Sequence, residues 1–96
     1  MIVDFSVAPI GKGVSLSSYV ARVFRLIEAS ELPFEHHAMG TNVEGDWDDV
    51  MDLIKRCRDE LLKDCSRVTV SIRIDDRQNE SSRLHAKVAS AFAKMR

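Results

Sequence analysis

Phe34-Glu35-His36-His37-Ala38-Met39-Gly40-Thr41-Asn42-Val43-Glu44 reads as two short strands joined by a tight turn. The first strand runs from Phe34 to Ala38, Met39-Gly40 makes the turn, and Thr41 to Glu44 returns. Glycine supplies the backbone freedom that such a turn often needs. Pro33 stands just before the hairpin and stops any helix that precedes it. Gly45 separates the hairpin from the next helical pattern.

Working outward, a helical pattern flanks the hairpin on each side. Before it, Leu16, Val20, Val23, Phe24 and Ile27 recur at helical spacing, with Ser15 as the cap and an end near Ser30. After it, Asp46 is placed to cap a second helix, and Asp49 sits three residues later. The charges of Asp46, Asp48, Asp49 and Asp52 suit the positive end of that helix. Its apolar stripe is Val50, Leu53, Ile54, Cys57 and Leu61, with Trp47 at its start.

Further out, each helix leads to a strand. Residues 1–8 alternate, with Val3, Phe5 and Val7 against Asp4 and Ser6, and the Pro9-Ile10-Gly11-Lys12-Gly13 stretch ends the strand in a loop. Residues 67–75 alternate in the same way: Val68, Val70, Ile72 and Ile74 on one side, Thr69, Ser71 and Arg73 on the other. A last helix starts near Asn79. Leu84, Val88, Ala91, Phe92 and Met95 lie on one side of it, with Arg83, Lys87 and Lys94 on the outer side.

The order β-α-β-β-α-β with a helix after it defines an α+β, ferredoxin-like antiparallel sheet with an additional C-terminal helix. Residues 1–96 form one domain in this reading. Right-handed crossovers put the two internal helices on one sheet face. The opposite face then carries Asp4, Ser6, Thr69, Ser71 and Arg73, and meets either water or a second subunit.

With 14 Lys plus Arg against 15 Asp plus Glu, the formal charge is -1, which gives no general pull toward nucleic acid or an anionic membrane. No stretch approaches the roughly 18 apolar residues of a membrane span. The N-terminus lacks the basic segment and apolar run of a signal peptide. Cys57 and Cys65 form no disulfide framework, so a cytoplasmic protein with reduced thiols is expected.

The segment from Thr41 to Trp47 holds the chemistry-bearing side chains. Glu44 can bind a cation or accept from an amino group, and Trp47 can stack on a flat ring. Thr41 equally fits a plain strand, Glu44 a solvated position and Trp47 the core. Three-residue spacing along a strand places Thr41 and Glu44 on opposite faces, so only the turn into the helix can bring them together. His36 and His37 also point to opposite faces, and His85 is far along the chain; they read as surface or interface histidines, not as a metal site. The Gly11-Lys12-Gly13 loop lacks phosphate-loop spacing. No nucleophile motif is present.

The chain resembles the thiamine-binding-like family of small proteins with a ferredoxin-like fold. The resemblance rests on Val7-Ala8-Pro9-Ile10-Gly11, Ser15-Leu16-Ser17-Ser18-Tyr19-Val20 and Met39-Gly40-Thr41 through Glu44-Gly45. It continues in Trp47-Asp48-Asp49-Val50, Arg67-Val68, Ile74-Asp75-Asp76-Arg77 and Lys87-Val88. It implies self-association as a homodimer or homotetramer, and a non-catalytic module that binds thiamine or its hydroxymethylpyrimidine part near the sheet. It implies no enzymatic reaction, and no cofactor is expected. Thr41, Glu44 and Trp47 carry over as motif positions. Ser6 and Ser71 can add hydroxyl contacts, and Asp4 or Glu44 suits the thiazolium cation. Arg73 is awkward beside that cation and is expected to pair with Asp4 or Glu44. The alternative is a structural or regulatory self-associating protein with no small-molecule ligand.

Overall fold

A computed structural model describes residues 1–13, 16–78 and 84–95, except for the side chain of His85. The described elements are β1 (Ile2–Pro9), α1 (Ser17–Ala29), β2 (Phe34–His37), β3 (Gly40–Glu44), α2 (Trp47–Leu62), β4 (Val68–Asp75) and α3 (Leu84–Lys94). The strands form one antiparallel sheet in the order β2-β3-β1-β4, the ferredoxin-like arrangement. The Ser15 cap and the Asn79 helix start lie outside the described residues, as does Arg83.

Alternation along β1 sorts the sheet into two faces. Val3, Phe5 and Val7 are buried with Val43 against Val23 and Ile27 of α1 and Val50, Leu53, Ile54, Cys57 and Leu61 of α2. Pro9 extends β1 one residue past the expected end; it pairs opposite Val68 at a position whose missing N–H removes no bond to β4. Asp46 is the N-cap of α2 but makes no side-chain capping bond, so its expected role reduces to charge at the helix start. α1 closes with Glu31 in the left-handed region at φ 64°, while the Ser30 hydroxyl donates to the Ile27 carbonyl at 2.6 Å.

Two expectations change. The hairpin turn is Ala38–Met39, one residue earlier than Met39–Gly40, because His37 pairs with Gly40. Gly40 is required for close approach instead: a Cβ there would stand 2.5 Å from the Phe5 carbonyl oxygen. The second change concerns the far side of the sheet. Among the described elements, only α1 and α2 share the core face. α3 packs against β3 on the opposite face, where Leu84 is buried and its amide N–H donates to Glu44 Oε1 at 3.4 Å. Lys87 of α3 also pairs with Asp75 of β4.

Candidate functional site

The register of β1 creates a gap in the sheet. β1 has eight residues paired along β4, but β3 pairs with it only from Ile2 to Phe5. Beyond Phe5 the β2–β3 hairpin has already turned. The resulting notch has a volume of about 170 Å³. Its walls are Phe5 to Ala8 of β1, Val20, Val23 and Phe24 of α1, and His37 to Thr41 at the hairpin end.

Thr41 reaches this notch from β3, and it is only 2% exposed. Its Oγ1 lies 2.9 Å from His36 Nδ1. The His36 ring stacks on Phe24 with centroids 3.6 Å apart and tilts against Phe34 at 4.8 Å. Among the described residues His36 Nε2 has no hydrogen-bond partner; Glu28 Oε1, at 3.8 Å, is within ion-pair range but beyond hydrogen-bond reach. His36 is therefore packed against Phe24 and Phe34 beside Thr41, and is not a freely exposed surface histidine. What hid it was the partner: Phe24 comes from a helix on the far side of a loop.

The other sheet face is polar, as expected. Asp4 sits opposite Asn42 and Arg73, and Ser6 opposite Ser71. Asp4, Ser6, Ser71 and Arg73 border a shallow hollow of about 260 Å³. Asp4 pairs with His37 at 3.0 Å rather than with Arg73. The side chain of His37 crosses β3 where Gly40 offers none. Among the described residues Arg73 makes no ion pair, so the expected Asp4 or Glu44 partner is absent.

The five candidate residues are thus dispersed. Thr41 and Ser6 both border the notch, and Ser6 also borders the open-face hollow with Ser71. Glu44 is buried beneath the start of α3, on the opposite sheet face from Thr41. Trp47 is 57% exposed at the first turn of α2, and is not in the core. Sequence reasoning missed Val20, Phe24 and the backbone of β1 beyond Phe5. The available signal was strand length: a first strand of about eight residues cannot be matched along its length by a short hairpin arm.

Both cysteines are buried and unpaired. Cys57 is buried in the core, where burial pushes its thiol up to about 12, and Cys65 is buried as well. Among the described residues no cluster of His, Cys, Asp and Glu could hold a metal ion. No described helix is long and apolar enough to cross a membrane.

The fold and the notch define a small ferredoxin-like α+β protein with a ring-sized recess beside its first strand. The sequence profile of the thiamine-binding protein family matches residues 3–91, and the chain belongs to that family. A UPF0045 protein of Methanocaldococcus jannaschii is 33% identical over 92% of this chain and 88% of its own length. A UPF0045 protein of Synechocystis is 37% identical over 94% of this chain and 75% of its own length. The crystal structure of a Methanocaldococcus protein superposes with a TM-score of 0.88 at 32% identity, covering 95% of this chain and 94% of that one. A candidate thiamine biosynthesis/salvage protein of Thermotoga maritima has the same fold, with a TM-score of 0.82 at 22% identity, covering 94% of this chain and 96% of that one.

Proposed function

We propose that this protein is a non-catalytic, self-associating module that binds thiamine or a related aminopyrimidine, with the ring seated in the notch beside β1. The carrying observation is the notch itself, in a member of the thiamine-binding protein family. A cavity of about 150 Å³ accepts a single six-membered ring, so about 170 Å³ suits the pyrimidine and leaves the thiazolium outside. Val20, Phe24 and Met39 supply apolar contact, and Thr41 and Ser6 supply polar groups. In this reading residues 1–96 act as one cytoplasmic binding unit. Ser71 on the open face, Glu44 and Trp47 contribute only if a second subunit or the remainder of the ligand reaches them.

Calorimetry of the purified protein against thiamine, hydroxymethylpyrimidine and their phosphorylated forms tests the reading. Saturable heat with the pyrimidine alone is the expected outcome; no saturable heat at millimolar ligand overturns it.

One observation favours the reading without a ligand. β4 is an edge strand with Ile72 41% and Ile74 39% exposed, and α3 leaves Phe92 58% exposed. These surfaces suit a second copy of the chain whether or not the notch is filled.

A further inference from the structure

The hydrogen-bonding direction of each residue in β1 is set by the ladder. Opposed residues in an antiparallel pair alternate between exchanging both backbone bonds and exchanging none. Met1 and Gly45 exchange both: the Met1 amino group donates to the Gly45 carbonyl at 3.0 Å and the Gly45 N–H to the Met1 carbonyl at 3.1 Å. Val3 and Phe5 therefore direct their N–H and C=O groups toward β3. On the other side, Ile10 N–H donates to the Arg67 carbonyl at 2.9 Å, so the even-numbered residues of β1 bond to β4. Val7 is next in the odd series. Its N–H and C=O point to the β3 side, where the register would place Met39, but Met39 belongs to the turn. Neither β3 nor β4 offers a ladder partner to the Val7 N–H and C=O among the described residues, and Val7 lines the notch.

We infer that the backbone N–H and C=O of Val7 recognise the ligand, reading an adjacent acceptor and donor on the edge of an aminopyrimidine ring. In an extended strand these two groups point the same way, a donor beside an acceptor. A 4-aminopyrimidine presents the complement, a ring nitrogen that accepts and an amino N–H that donates. The ring would thus occupy the place of a missing strand residue. Phe24 and Val20 flank it from α1, and the Met39 side of the hairpin flanks it from the turn. Backbone groups shut away from water are rarely left unpaired, so a ring that covers this edge has to supply both partners. The inference rests on the notch being the ligand site, and it adds which atoms read the ligand.

The test combines amide hydrogen exchange by NMR with calorimetry, using hydroxymethylpyrimidine and its analogue lacking the amino group. In the free protein the Val7 amide should exchange on the order of a hundredfold faster than those of Phe5 and Ala8, which are bonded in the ladder. Saturating hydroxymethylpyrimidine should slow it to their level and shift its resonance. The analogue without the amino group should bind about tenfold more weakly. A synthetic chain with an ester in place of the Val7 amide keeps the side chain and should lose about the same factor. Saturable binding that leaves the Val7 amide unprotected overturns this inference alone. A Val7 amide already protected in the free protein overturns it too. The absence of any saturable binding removes the ligand reading and this inference together. A Val7 amide protected only by added peptide strands would instead mark the notch as a β-addition site and overturn the aminopyrimidine assignment.

Discussion

Thr41 is held between two demands, a neighbour in the core and an opening beside β1. Among the described residues its hydroxyl is the sole hydrogen-bond partner of the His36 ring, at 2.9 Å from Nδ1. Thr41→Val keeps the shape but strips that ring of its remaining partner, so stability should fall by about 1–3 kcal/mol. Thr41→Ser, which restores the hydroxyl, should recover most of it. Urea unfolding of both variants checks this, and equal losses would show that the hydroxyl does not matter. Cys57 gives a second residue-scale prediction. Desolvation raises its thiol to about 12, against 9.0 for the unperturbed group. Between these values the unfolded chain has lost the proton and the folded one keeps it, so the stabilising contribution is complete below about pH 9 and is lost as pH rises toward 12. The slope for one such group approaches about 1.4 kcal/mol per pH unit. Unfolding curves at pH 8 and pH 10.5 should therefore converge for wild type and Cys57→Ala relative to their separation at the lower pH. Cys57 was legible in the sequence because it falls on the helical stripe Val50, Leu53, Ile54, Leu61. The role of His36 was not, because a ring stacked between Phe24 and Phe34 depends on how α1 crosses β2.

The elements join through contacts that alternation cannot show. Periodicity was enough to find the hairpin, both crossover helices and the two long strands, since each carries one apolar face toward a shared core. The precise turn was obscured because glycine has two uses. Gly40 looks like a turn residue in sequence, yet it is the site where β3 comes down on the Phe5 carbonyl. Gly40→Ala should push β3 away from β1 and lower stability by about 1–3 kcal/mol, measured by urea unfolding. Because the displaced carbonyl lies at the notch, ligand binding should weaken as well. Between helices, Arg22 of α1 clamps the end of α2. Its Nε donates to Glu60 Oε1 at 3.2 Å, its Nη2 to the Glu60 carbonyl at 2.7 Å, and its Nη1 to Asp64 Oδ2 at 3.0 Å. Lys63 first, and Arg22 next, hold the Glu60 carboxyl below its ordinary range, and Arg22 does the same for Asp64. Depressed carboxylates favour the fold above their unfolded pKa, and that benefit disappears as pH falls through the lowered folded values. Arg22→Met should therefore destabilise the protein at pH 7 and much less near pH 2, with thermal melts at the two pH values as the measurement. Equal shifts at both would assign Arg22 a packing role alone.

At the scale of the molecule, the sheet has two unlike edges and two unlike faces. The sequence pattern revealed the polar face of Asp4, Ser6, Ser71 and Arg73, but not that α3 would cross part of it, because α3 holds on chiefly through Leu84, Glu44 and the Lys87–Asp75 pair. The consequence is an apolar stripe left outside: Val88 and Phe92, the latter at 58% exposure, on α3, and Met95 at 78% just past its end. The β4 edge adds to it. Odd-numbered residues of β4 bond to β1, so the N–H and C=O groups of Val68, Val70, Ile72 and Ile74 point to the open edge. This row of outward backbone groups beside exposed isoleucines forms a template for another strand. It supports self-association through β4, and the parity of the ladder supplies a selective test. Ile72→Pro removes an N–H that faces outward and leaves every bond to β1 intact. It should shift the assembly toward monomer in light scattering at micromolar concentration while keeping the circular dichroism of the folded chain. Ile72→Lys, which places a charge on the same edge without touching the backbone, should act in the same direction. If both variants remain assembled and folded, the contact does not run through β4, and the apolar side of α3 becomes the surface that a second copy covers, to be tested by Phe92→Glu in the same measurement.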